Sequence, residues 1–142
     1  MNPGTLSLTN LVTVSSLVAC PIAAPISPSP FLTHYCIVRR DLPPGLQAAN
    51  LVHAAGESSP GFLPKGTYAI ALWAKDEREL RLLGSRLEDA RINPFYIIES
   101  EGAHAGQLMA IGLAPCDRQL VRKLLSSYPL VKHAPCRCEV NM

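Results

Sequence analysis

Long apolar runs are the first thing this chain lacks. No stretch approaches the roughly 20 residues that a bilayer-spanning helix needs, so no membrane association is predicted. Strong charge of one sign is missing too: thirteen Lys and Arg against eleven Asp and Glu leave a formal charge of +2. A charge this small does not announce a nucleic-acid binder, and it does not exclude one, because patches count for more than totals. Internal repeats are absent. A clear disulfide scaffold is missing: the five cysteines, at positions 20, 36, 116, 136 and 138, make an odd count, and Cys36 in a strand pattern and Cys116 at a helix entry do not look like parts of one. They read as reduced thiols of a cytosolic protein. A paired zinc motif is lacking as well. His133, Cys136 and Cys138 give one Cys-x-Cys with no second ligand pair, so no metal or cofactor is predicted and residues 133–142 read as a frayed tail.

What is present suits one globular domain with ends. The 142 residues suffice for a single core, and 48% of them are hydrophobic. Thirteen prolines are many for this length, and five of them fall at or before position 30. Residues 1–32 therefore read as a disordered Pro/Ser/Ala-rich extension. Leu17-Val18-Ala19-Cys20 resembles a bacterial lipoprotein cleavage box, which would imply export. The ten residues at the start hold no Lys or Arg, however, and Thr13, Ser15 and Ser16 break the apolar run. A start assigned too far upstream would look the same.

The domain itself is expected over residues 33–132. Tyr35-Cys36-Ile37-Val38 is a continuous apolar run closed by Arg39 and Arg40, the pattern of a strand buried on both faces. Asp41-Leu42-Pro43-Pro44-Gly45 is turn chemistry, and the alanines from Leu46 to about Glu57 argue helix. Thr67 to Trp73 reads as a second strand. Asp76 and Glu79 form a capping-box pattern ahead of an amphipathic helix over 77–91, on which Leu80, Leu83, Leu87 and Ala90 recur at helical spacing. Phe95–Ile98 and Leu108–Ile111 give two more strands. Pro115-Cys116-Asp117 opens a last helix on which Leu120, Leu124 and Tyr128 share a face. Strands alternating with helices predict an α/β fold: a three-layer α/β/α sandwich around a mixed, mostly parallel sheet of about four strands.

Chemistry-bearing residues gather at strand ends and on the first helix. Such junctions put polar groups at the carboxyl edge of a sheet, where open α/β folds hold their ligands. Asn50, His53 and Glu57 fall in one polar stripe, and Glu57, a turn after His53, is placed to orient its imidazole. As an ordinary exposed helix pair the two would be worth only a few tenths of a kcal/mol. Glu99, Ser100 and Glu101 follow the third strand, where a carboxylate can act as a general base or hold a water. The same loop, with Gly102, His104 and Gly106, reads equally well as a solvated connection. Arg39 and Arg40, with Arg118, Arg122, Lys123 and Lys132, offer positive charge for phosphate contact, although exposed helices carry such groups too. Trp73 and the tyrosines sit in strand patterns and read as core.

From Thr33 to Lys132, about 100 residues, the chain resembles the type II peptidyl-tRNA hydrolases. Val38-Arg39-Arg40-Asp41-Leu42 resembles that family's Val-Arg-x-Asp-Leu strand end. Gly45 to Ala55 resembles its Gly-Lys-x-Ala-Ala-Gln-x-x-His-Ala-Ala helix. Ala74 to Leu80 is similar to the entry of its second helix, and Ala110 to Pro115 to the Gly-Ile-Gly-Pro-Gly-Pro run before its last. Departures fall at the site: Leu46 stands at the family's lysine, Ser100 at its aspartate and Gln107 at its threonine. The loop between the third and fourth strands is also shorter. The resemblance implies cleavage of the ester joining a peptide or acylated amino acid to tRNA, at a variant site without metal or cofactor. It implies catalytic roles for His53, Asp41, Glu101 and Ser100, and substrate contacts from Arg39, Arg40, Asn50 and Gln107. His53 or Glu101 would serve as base. The expected partner is the acceptor end of peptidyl-tRNA, for a cytoplasmic monomer or homodimer. From a different class, a catalytically inactive member binding tRNA or a protein would keep the same fold, and Leu46, which can neither bind phosphate nor stabilise an oxyanion, favours that alternative.

Overall fold

The computed structural model describes residues 31–132. The expected extension lies outside the described residues except for Phe31 and Leu32. The Leu17–Cys20 box and the tail with His133, Cys136 and Cys138 also lie outside them. The elements run β1 (Thr33–Arg39), α1 (Pro44–Ser58), β2 (Tyr68–Ala74), α2 (Glu77–Asp89), β3 (Pro94–Ile98), β4 (Leu108–Cys116) and α3 (Arg118–Leu125), with a short 3-10 turn at Gly102–His104. The fold is α/β, with one open mixed sheet of four strands and three helices. No helix among the described residues is long and apolar enough to cross a membrane.

Local sequence accounts for most of these elements. Every residue of β1 is buried, as its unbroken apolar run requires. α1 has Pro44 in its first turn, where a missing N–H costs nothing. α2 starts at Asp76, whose carboxylate accepts from the Glu79 N–H at 2.9 Å, while the Glu79 carboxylate accepts from the Lys75 N–H. The capping-box expectation is thus met, with the return bond taken by the residue before the cap. At α3 the Asp117 carboxylate accepts from the Gln119 N–H at 2.9 Å. The last helix turns a different face inward from the one expected. Val121 and Leu125 are buried with Tyr128, whereas Leu120 is 64% exposed. α3 ends at Leu125, so Tyr128 lies beyond it and cannot be extrapolated from helical spacing.

The sheet order is β2-β1-β4-β3, and here the expectation of a mostly parallel sheet is corrected. β1 pairs parallel with β2, but β4 pairs antiparallel with both β1 and β3. β1, β2 and β3 therefore share one direction, as the alternation of strands and helices suggested. The connection from β3 to β4 is too short for a crossover helix, so β4 returns antiparallel and inserts between β1 and β3. In consequence the carboxyl ends of three strands, the start of β4 and the starts of α1 and α2 all lie along one edge. The free side of β2 is partly covered: the Trp73 N–H donates to the Pro129 carbonyl at 2.9 Å, and the Val131 N–H to Ala71 at 3.0 Å.

Side chains alternate along β1 between two buried clusters. Cys36 and Val38 join Leu42, Ala54, Met109 and Ala110 beside α1. Tyr35 and Ile37 join a larger cluster with Leu80, Leu83 and Leu87 of α2 and Val121 of α3. α1 comes down closest at Gly112 of β4, where a Cβ would stand 2.4 Å from the Ala54 carbonyl oxygen and 2.5 Å from Ser58 Oγ. Gly84 of α2 makes the matching approach on the other cluster, with a Cβ position 2.6 Å from the Tyr96 ring. Substituting Gly112→Val should therefore lift α1 and cost about 1–3 kcal/mol. Urea unfolding would measure this, and an unchanged midpoint would show that the helix is not seated there.

Candidate functional site

Arg39 closes β1, and its side chain is only 8% exposed. A charge withdrawn from water this far needs partners on every side. Asp41, two residues on, accepts from Nε at 3.0 Å and from Nη2 at 2.7 Å, a bidentate pair. Nη1 donates to Gln107 Oε1 at 2.9 Å and to the Leu108 carbonyl at 3.4 Å, and lies 3.8 Å from the Glu77 carboxylate. The Arg39 guanidinium, through its hydrogen bonds, holds the Asp41 carboxyl below the usual carboxylate range. Asp41 is thereby a fixed anion and a poor base, although its side chain is 42% exposed.

Glu77, in the first turn of α2, ties the start of β4 to the same cluster. Its Oε1 accepts from the Leu108 N–H at 3.0 Å and from Arg81 Nε at 2.8 Å. The Leu108 N–H, more than Arg81 or Arg39, lowers its carboxyl pKa. Leu108 is available for this because β4 bulges: the register with β3 shifts between Ile97 and Ile98, and Met109 and Ala110 fall in the same cluster in succession.

His104, at the end of the 3-10 turn, completes the group, with Nδ1 3.1 Å from Gln107 Oε1. On the opposite side of the turn after β1, Gln47 donates to the carbonyls of Leu42 at 2.6 Å and Arg40 at 3.2 Å. Gln47 also accepts from Trp73 Nε1 at 2.8 Å, and the Arg40 guanidinium lies 4.9 Å from the centre of the Trp73 ring.

Of the residues named from sequence, Arg39, Asp41 and Gln107 meet directly. Arg40 is exposed beside them on Trp73. Asn50 is buried and donates to the Leu46 carbonyl at 2.9 Å. His53 and Glu57 are exposed, so the stripe expected on α1 is divided between core and solvent. Ser100 and Glu101 are exposed on the loop after β3. Glu77, Gln47 and the pairing of His104 with Gln107 were not anticipated. The one signal available for the last was the i, i+3 spacing inside a glycine-flanked polar loop.

A second polar pair lies at the other end of β1. His34 Nε2 is 2.7 Å from Ser58 Oγ, which donates to the Ala54 carbonyl at 2.6 Å, all of it buried. Spacing alone would suit an activated serine. The hydroxyl hydrogen is committed to a carbonyl that can only accept, so the imidazole must be the donor and cannot act as base toward Ser58. Burial lowers the His34 pKa and keeps the ring neutral. Burial also pushes the Cys36 thiol up to about 11, which makes it no nucleophile at neutral pH. Among the described residues, no three His, Cys, Asp or Glu side chains are grouped to hold a metal ion.

No family model matches this chain, and no curated protein matches it.

Acid unfolding tests both ends of β1. Unfolding exposes His34, which then takes up a proton below its ordinary pKa of 6.5, whereas the folded ring resists. Stability should be complete above that pH and decline as pH falls beneath it, and His34→Gln should flatten this limb. Asp41 should add a further loss below its ordinary 3.8, absent in Asp41→Asn. That variant also leaves Arg39 short of its best partner, costing roughly 1–3 kcal/mol at neutral pH. Urea midpoints across pH would decide, and parallel curves for wild type and His34→Gln would refute the His34 assignment.

Proposed function

We propose that the chain is a hydrolase of the type II peptidyl-tRNA hydrolase kind, cleaving the ester between an acylated amino acid or peptide and tRNA at a variant site. What supports this reading above all is that Arg39, Asp41 and Gln107, singled out by the resemblance, form one hydrogen-bonded cluster at the sheet edge where α1 and α2 begin. Ligands of open α/β folds lie at such edges. The finer architecture belongs to the same reading: a three-layer α/β/α sandwich, working in the cytoplasm as a monomer or homodimer.

The ester is activated by the neighbouring ribose hydroxyl, so the protein need only position a water, accept its proton and provide donors for the developing oxyanion. Arg39 and Asp41 act as positioning residues, because each is taken up by the other. Arg40, exposed on its indole platform, is assigned to substrate, while Gln107, whose amide oxygen is held by Arg39, is a positioning residue, and Asn50 is buried and bonded to the Leu46 carbonyl. His53 on α1, and Ser100 and Glu101 on the loop after β3, are exposed and complete the set. A second reading, a module that binds tRNA without cleaving it, draws support from Leu46. The side chain at the family's lysine position packs against the apolar cluster beneath α1 and supplies no charge to phosphate.

Single-turnover release of N-acetylated aminoacyl groups from tRNA separates the two. The wild-type protein should release them, and Asp41→Ala should do so roughly 100-fold more slowly, the scale of a misplaced catalytic group. Salt-sensitive tRNA binding with no release would establish the binding module instead.

A further inference from the structure

The hydrogen bonds around Gln107 determine which nitrogen of His104 carries its proton. Arginine only donates, so the atom of Gln107 that lies 2.9 Å from Arg39 Nη1 is the carbonyl oxygen of its amide. The same oxygen lies 3.1 Å from His104 Nδ1. An oxygen cannot donate, so Nδ1 must bear the hydrogen, and the neutral ring keeps its lone pair on Nε2. No described residue takes a hydrogen bond with that nitrogen.

The backbone beneath the ring is held as firmly. Gly102 and Gly106 adopt φ of 73° and 77°, the left-handed region that favours glycine. The Ala105 N–H donates to Gly102 at 3.2 Å and the Gln107 N–H to His104 at 3.0 Å, while Glu99 closes the hairpin against Gln107 at 3.0 Å and Gly106 at 2.7 Å. The other candidate bases have no such support. His53 and Glu101 are exposed, and among the described residues neither side chain has a partner to fix it.

A base oriented through its far nitrogen by a third group is the arrangement that nucleophile-activating sites share. We infer that His104, rather than His53 or Glu101, is the general base of this site, with Gln107 and Arg39 as the positioning residues behind it. This role rests on the hydrolase reading above. Nε2 takes a proton from the water whose oxygen attacks the acyl carbon. The bond from that carbon to the ribose oxygen then breaks, and Nε2–H returns the proton to the departing oxygen. A free carboxylic acid and a tRNA hydroxyl are left.

The test compares the full-length wild type with His104→Ala, both shown folded by circular dichroism, in single-turnover release from N-acetyl-aminoacyl-tRNA. The variant should lose about 100-fold or more, the scale of general-base catalysis. Imidazole added to the buffer should restore part of that loss and leave the wild type unaffected. A variant as fast as wild type overturns the role of His104 while the hydrolase reading stands. A loss that imidazole does not restore assigns His104 to structure and also overturns it. A folded wild type with no release overturns both. Long-range proton–nitrogen spectra of the wild type give a readout free of activity: a hydrogen on Nδ1 is expected, and a neutral ring protonated on Nε2 refutes the assignment.

Discussion

A guanidinium taken out of water at the end of the central strand imposes more on this fold than any other single group. Left unpaired, a charge at that depth would cost several kcal/mol, a large fraction of what a domain of this size has in hand. Asp41 can face Arg39 only because the chain reverses within two residues, and Pro43 and Pro44 lead from that reversal directly into α1. Gln107 can reach it only if β4 lies next to β1. The antiparallel insertion of β4, which departs from the simple alternation of strand and helix, is therefore also what completes the hydrogen bonding at the end of β1. Packing alone would tolerate other neighbours for β1; the buried arginine favours this one.

The bulge in β4 extends the same logic to α2. In a regular ladder the Leu108 N–H would be taken up by a neighbouring strand. Two successive residues on one face put it out of step, and Glu77 accepts it. Glu77 is a first-turn carboxylate, favoured there by the helix dipole, and it also faces Arg39. One side chain thus anchors the start of a helix, the start of a strand and the rim of the arginine cluster.

How much of this the sequence reveals depends on the range of the interaction. β1 was legible because an unbroken apolar run needs no knowledge of its neighbours. The Asp76–Glu79 cap was legible because its partners are three residues apart. Arg39 and Gln107 are separated by 68 positions, and no local pattern reports that they touch. The resemblance named both residues without pairing them. Strand order was hidden for the same reason, since the direction of β4 follows from a connection length whose meaning depends on where β3 lies. The stripe on α1 failed for a geometric reason. At 3.6 residues per turn, Asn50 and His53 point about 60° apart, enough to place one in the core and the other in water.

The two ends of β1 show that residue type and distance do not decide reactivity. At one end His34 and Ser58 stand as close as an activated nucleophile and its base, yet the hydroxyl gives its hydrogen to the Ala54 carbonyl and the imidazole is reduced to a donor. That pair holds the end of α1 against β1, with the hydroxyl and Nε2 both satisfied. At the other end an imidazole likewise donates through one nitrogen, here Nδ1 to an amide oxygen already pinned by arginine, and keeps its lone pair on Nε2. Burial separates them. His34 is sealed in the core, where proton uptake would cost desolvation, whereas His104 is half-buried at the sheet edge. The direction of the Ser58 hydroxyl hydrogen makes the first pair structural, and burial, not hydrogen bonding, is what sets the second ring apart from it.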